Sequence, residues 1–155
     1  MRWWTYSGFP AVSEAVPKEP VHTEILPPGS VPEPNLTYVV IAASYNSEWI
    51  FVRHRDRTTW ELPAGHIEPG EAAVHSAVRE LFEEAGVTRS SLTHLCDYAV
   101  TVGKIKEYGR LFKARVEEME GLLEFETDEI CLSGTLPRDL TYPEVQSVLF
   151  NVALG

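Results

Sequence analysis

The amino-acid sequence predicts an α+β fold, β-rich, with one central helix and one carboxy-terminal helix. Three observations carry that prediction. Two apolar runs rich in β-branched residues, Leu36–Ser44 and Glu48–His54, flank the turn-forming Tyr45-Asn46-Ser47. Residues 71–85 contain neither Gly nor Pro and repeat apolar side chains at helical spacing. Near the end, Thr141-Tyr142-Pro143-Glu144 has the pattern of a capping box with proline in the first helical turn.

Residues 1–35 hold seven of the eleven prolines. Proline removes a ladder donor and restricts its predecessor, so this is a Pro-rich extended lead-in with at most an edge strand around Val21–Leu26. Trp3, Trp4, Tyr6 and Phe9 are too apolar for a freely solvated tail and are expected to pack on the domain or on the second subunit of a homodimer. Residues 36–155 form the domain itself. Leu36–Ser44 is nearly continuously apolar, as in a strand buried on both faces. Glu48–His54 is the returning arm of a hairpin, Thr59–Leu62 a short strand ended by Pro63, and Ala64–Gly70 a loop.

In the segment Glu71–Ala85 the residues Val74, Ala77, Val78, Leu81 and Ala85 span roughly 100° of helical arc, the width of a core-facing stripe. Gly86 is the expected carboxy-terminal cap. Leu92–Gly103 and Tyr108–Val116 read as strands joined by the charged Lys104–Glu107. Glu117–Glu129 carries seven acidic residues and reads as a loop, before a short strand at Glu129–Leu132. Val145, Val148, Leu149 and Val152 mark the last helix.

Charge narrows the partners. With 23 Asp and Glu against 13 Lys and Arg, the net charge is −10, which disfavours a nucleic-acid polymer, whose binding depends on neutralising phosphates with Lys and Arg. Cys96 and Cys131 are too few to staple a fold or build a thiolate zinc site. No apolar run approaches the ~20 residues of a membrane helix, and the first residues lack the apolar core of a secretory signal. A cytoplasmic protein without membrane partners is expected.

Glu80, Glu83 and Glu84, at i, i+3 and i+4, share one side of the predicted helix, where like charges cost a few tenths of a kcal/mol per pair. Arg79 is the only basic side chain between Glu68 and Val87. A solvated acidic face would account for the triplet; so would a hard divalent cation such as Mg²⁺, which takes oxygen ligands and keeps waters for substrate phosphates.

The surrounding spacing decides between them. Gly65, five residues, Glu71, seven residues, then Arg79-Glu80-Leu81-Phe82-Glu83-Glu84-Ala85-Gly86-Val87 resembles the complete 23-residue signature of the Nudix hydrolases. The resemblance implies an α/β/α sandwich around a mixed β-sheet, with the signature forming a loop–helix–loop. It also implies hydrolysis of a nucleoside diphosphate linked to another group, with Mg²⁺ or Mn²⁺ and water. By signature position, Glu80, Glu83 and Glu84 would hold metal, Arg79 would orient a catalytic carboxylate, and the Ala64 carbonyl would add a ligand. Glu71 would be secondary or structural. Many relatives have glycine where this chain has Ala64, so a left-handed backbone there would be strained by ~1 kcal/mol. Candidate general bases are Glu83, Glu126 and Glu129.

Substrate selection is less determined. Trp60 is a candidate base contact or a core residue, and Arg53, Arg55, Arg57 and Arg110 are phosphate candidates or solubilising charges. His66 is a candidate phosphate neighbour; His54, His75 and His94 show no metal-ligand spacing with it. The proline that marks many ADP-ribose hydrolases is replaced by Gly103, and the tyrosine of many dinucleoside polyphosphate hydrolases is missing from Gly103-Lys104-Ile105. The remaining expectation is a (d)NTP or oxidised nucleotide as substrate. The alternative is a Nudix-fold nucleotide-binding or sensor module without hydrolysis.

Overall fold

A computed structural model describes residues 19–120 and 127–155 of the chain. Trp3, Trp4, Tyr6, Phe9 and Glu126 lie outside the described residues. The elements in order are β1 (Val21–Leu26), a 3-10 turn (Glu33–Asn35), β2 (Leu36–Tyr45), β3 (Glu48–His54), β4 (Ala64–His66), α1 (Ala73–Ala85), β5 (Val87–Val102), β6 (Ile105–Met119), β7 (Thr127–Ser133) and α2 (Pro143–Leu154). The strands form one sheet in the order β1-β5-β6-β2-β3-β7, with β4 also paired to β2. β2 and β6 run parallel and the remaining pairs antiparallel, so the sheet is mixed.

Strand β2 explains why its run is apolar throughout. Tyr38 and Val40 face one side and pack with Val145, Leu149 and Phe150 of α2. Val39, Ile41 and Ala43 face the other and pack with Ala73, Ala77 and Leu81 of α1. With a helix on each face, both sets of alternating side chains must be apolar, and the molecule is an α/β/α sandwich. The β2–β3 hairpin closes tightly because Asn46 and Ser47 both take positive φ, 51° and 72°, the twist-matched form of a two-residue turn.

Several elements differ from the sequence expectation. Helix α1 starts at Ala73, two residues late, and its inner face is Ala73, Ser76, Ala77, Glu80, Leu81, Glu84 and Ala85. Val74 and Val78, expected in the core, are 43% and 50% exposed. The helix is rotated so that two glutamates take the place that a purely apolar stripe would give to valines.

Residues 59–62 form isolated bridges, Val52 with Glu61 and Trp60 with Leu140, in place of a strand. Part of the expected loop is strand β4, paired with Tyr38–Val40. The long hairpin β5–β6 absorbs the flanking charged segments and turns at Gly103, whose φ is 60°. Strand β7 starts inside the acidic segment. The capping box is not formed. Thr141 is drawn into backbone pairing with Trp60, and Tyr142, at φ 48°, precedes α2 without a side-chain cap.

The start of α1 is capped from a distance. Its N-cap residue Ala72 offers no side-chain acceptor, and Oε1 of Glu33 accepts from the Ala73 N–H at 2.9 Å. Glu33 also pairs with Arg110, which is held by the fully buried Asp97 through Nε at 2.7 Å and Nη2 at 3.1 Å. Asp97 accepts further from the Val31 N–H at 3.0 Å. Burial alone would raise the Asp97 carboxyl, but bonds from Arg110, the Val31 N–H and His94 outweigh burial and hold it below the usual carboxylate range.

Asp97→Asn, which leaves Arg110 half-paired in the interior, should therefore cost about 2–4 kcal/mol in urea unfolding at pH 7. The depressed carboxyl stabilises the fold fully above the unfolded value of about 3.9 and loses that contribution as pH falls through its lower folded value. The gap between wild type and variant should accordingly close below about pH 4.

Candidate active site

The signature loop and α1 meet at β4. Gly65 lies so close to α1 that a Cβ there would sit 1.9 Å from Oε2 of Glu80. The absence of a side chain at Gly65 leaves the space that the Glu80 carboxylate occupies in this conformation. One residue earlier, the Ala64 N–H donates to Oε1 of Glu84 at 2.9 Å. Ala64 is not among the positive-φ residues, so alanine carries none of the strain anticipated for it. Gly70, at φ 78°, supplies the left-handed turn of the loop.

Glu80 and Glu84, four residues apart, are thus both directed inward, with side-chain exposures of 8% and 2%. Burial first, and the neighbouring Glu84 charge second, push the Glu80 carboxyl up to about 8. Arg79 organises the rim. Its Nε and Nη2 take both oxygens of Glu71 at 2.8 and 2.9 Å, Nη1 reaches Glu80 at 3.1 Å and Glu83 at 3.2 Å, and Nη2 donates to the His66 carbonyl at 3.0 Å. The Arg79 hydrogen bond lowers the Glu71 carboxyl to about 2. Glu71 also caps the loop, accepting from the Glu68 N–H at 3.0 Å.

Among the described residues no group of three His, Cys, Asp or Glu side chains is arranged to hold a metal ion as it stands. One guanidinium is shared by Glu80 and Glu83, and it supplies part of the missing positive charge. The donors nevertheless fit a hard divalent ion: three carboxylates and a backbone carbonyl, all oxygen. Two adjacent buried carboxylates, one forced toward its neutral form, are what a bound cation would relieve.

A family model described as NUDIX domain matches residues 35–133. The chain belongs to the NUDIX family. A relative is YtkD of Bacillus subtilis (strain 168), whose name proposes 8-oxo-dGTP diphosphatase activity; it is 34% identical over 106 residues, 67% of this chain and 66% of YtkD. The ADP-ribose pyrophosphatase of the same organism is 35% identical over 80 residues, 51% of this chain and 43% of that protein. The chain spans between 22% and 66% of the first curated relatives it matches. The crystal structure of the Bacillus subtilis pyrophosphohydrolase BsRppH (E68A mutant) superposes with a TM-score of 0.73 at 24% identity, covering 85% of this chain and 87% of that one. It shares the NUDIX fold.

The other candidate residues separate into pairs. Arg53 and Glu129 face each other across β3 and β7, with Nη2 2.6 Å from Oε1. Arg57, a phosphate candidate by sequence, is buried and bound to Glu61 at 3.1 Å, and Arg110 is committed to Asp97. Trp60 packs against the α2-side core. The His66 ring stands edge-on to Tyr38 at 5.1 Å.

Sequence reasoning missed Glu61 and left His54 without a role. The available signal was an acidic residue inside the apolar Trp60-Glu61-Leu62, where a carboxylate needs a buried partner. No helix among the described residues is long and apolar enough to cross a membrane.

The raised Glu80 carboxyl makes a stability prediction for this NUDIX site in EDTA. Between about pH 4.3 and 8 the unfolded chain ionises while folded Glu80 keeps its proton, so stability falls with rising pH. Glu80→Gln should be more stable than wild type by on the order of 1–3 kcal/mol at pH 8 and nearly equal at pH 4.5, as read by thermal melts.

Proposed function

We propose that the protein is a Mg²⁺- or Mn²⁺-dependent pyrophosphohydrolase that cleaves the diphosphate linkage of a nucleoside diphosphate derivative, with a (d)NTP or an oxidised nucleotide as substrate. One observation carries this reading: Glu80 and Glu84 are buried side by side against β4, with Glu83 and Arg79 on the adjoining rim. Such an arrangement destabilises the metal-free domain and is hard to account for as a solvated acidic face. YtkD, the relative matched over two thirds of this chain, supports the substrate class.

In this reading Glu80, Glu83, Glu84 and the Ala64 carbonyl hold the cation. When bound, the ion supplies charge neutralisation for the diphosphate and Lewis acidity toward water. The chain supplies the rest. Gly65 and the Ala64 N–H fix two carboxylates in position. Arg79 orients Glu80 and Glu83 through one guanidinium nitrogen while Glu71 anchors its other edge. Glu83, at 36% side-chain exposure, is the signature carboxylate with access to solvent and accepts the proton of the attacking water. Glu129 would serve instead only if it left Arg53.

The deciding assay measures phosphate or pyrophosphate released from a nucleotide panel with Mg²⁺. Glu84→Gln should lose ~10²-fold or more in turnover, and undiminished turnover would exclude the metal role. Arg79→Ala should lower turnover with a smaller change in Mn²⁺ affinity, whereas equal losses would make Arg79 structural. Nucleotide binding without turnover in the wild type would place the chain among effector-binding modules.

A further inference from the structure

Glu84 is backed by a chain of buried polar groups that neither the signature nor the reaction requires. His54 ends β3, Glu61 lies in the bridged segment that follows, and Arg57 sits in the turn between them, its N–H returning to the His54 carbonyl at 3.0 Å. Nε2 of His54 lies 2.6 Å from Oε1 of Glu61 and 3.2 Å from Oε2 of Glu84. The ring nitrogen is shared between two carboxylates and lies on the ideal hydrogen-bond line of neither. Nη1 of Arg57 closes the chain on Glu61, at 3.1 Å from Oε2 and 3.3 Å from Oε1. The side chains of His54, Arg57, Glu61 and Glu84 are all at most 3% exposed.

Apolar side chains of similar volume would stabilise this part of the core at least as well, because desolvating charged pairs is costly. What they would not do is hold a carboxylate in one orientation. Oε1 of Glu84 is fixed by the Ala64 N–H, and Oε2 faces His54. With the Ala64 N–H bonded to one oxygen and the His54 ring lying against the other, the plane of the carboxylate is constrained from both sides. Groups behind a metal-binding carboxylate commonly set its direction in this way.

We propose that His54, braced by Glu61 and Arg57, is a positioning residue that aims the Glu84 carboxylate at the cation. The inference rests on the reading that Glu84 holds metal. The order of the distances assigns the parts: Glu61 is nearer to the imidazole and orients it, Arg57 orients Glu61, and His54 meets the ligand.

The test compares His54→Gln with His54→Asn in the full chain. The two amides share their chemistry and differ in reach by one methylene, and Gln places an N–H near the position of Nε2. Mn²⁺ binding is followed through the electron paramagnetic resonance signal of the free ion, with thermal melts in EDTA alongside. His54→Asn should weaken Mn²⁺ binding ~10–100-fold, and His54→Gln should stay within about threefold of wild type. Their melting temperatures in EDTA should be similar.

Wild-type affinity in the Asn variant, or equal loss in both, would overturn the positioning role. Should the Asn variant not fold, the wild type carries the test through the ¹⁵N resonance of its His54 ring. That resonance must shift as Mg²⁺ is added, and a static resonance at saturating Mg²⁺ refutes the contact. Glu84→Gln is the control: if it binds Mn²⁺ like wild type, the metal reading itself fails and this inference with it.

Discussion

The structure depends on seating two carboxylates of α1 against the backbone of β4. Glu80 occupies the space left free by Gly65, which has no side chain, and Glu84 is bound by the next backbone amide toward the amino terminus. That contact fixes the rotation of the helix about its axis. With Glu80 and Glu84 inward, Leu81 is the one large apolar residue left on the inner face, and Ala73, Ser76, Ala77 and Ala85 fill the other inner positions. The larger Val74, Val78 and Phe82, one position around the helix, are turned toward solvent. A domain selected for stability alone would bury the valines and expose the acids, so the inverted face is a local conflict of the kind found at functional sites.

Much of this was legible in the chain, and the failures have physical causes. The two-faced burial of β2, the Asn46-Ser47 turn and the Gly86 cap are local signals, since each depends on side-chain period or on a single backbone angle. The helical stripe misled because hydrophobic spacing assumes that the core face is the most apolar face, and here that assumption is broken by Glu80 and Glu84. Thr141 and Glu144 matched a capping box, but Thr141 was captured by pairing with Trp60, a contact set by tertiary structure. Thr59–Leu62 read as a strand from its β-compatible residues ahead of Pro63, but the structure makes only two bridges there, Glu61 with Val52 of β3 and Trp60 with Leu140.

The arginines illustrate a second limit of local reading. Arg53, Arg57 and Arg110 each looked available for an anionic ligand, yet each is engaged by carboxylates of this chain, Glu129, Glu61 and Asp97, while Arg55, the fourth candidate, is exposed. An excess of acid over base makes such internal pairing easy to satisfy and hard to foresee from sequence. It also leaves little free cationic surface at these positions for a polyphosphate, which is consistent with the proposal that charge compensation at the site comes from a divalent ion.

Glu33 has a reach that its position does not suggest. It lies ahead of the first long strand, outside the stretch matched by the family model, yet one oxygen closes the first turn of α1 and the other meets Arg110. A chain trimmed to begin at residue 36 would keep every signature residue and lose this tether, along with the Val31 groups that bind Asp97 and Arg110. The helix bearing the glutamates would then start with an exposed, uncapped end, and the unit that holds them in place is longer than its recognisable motif.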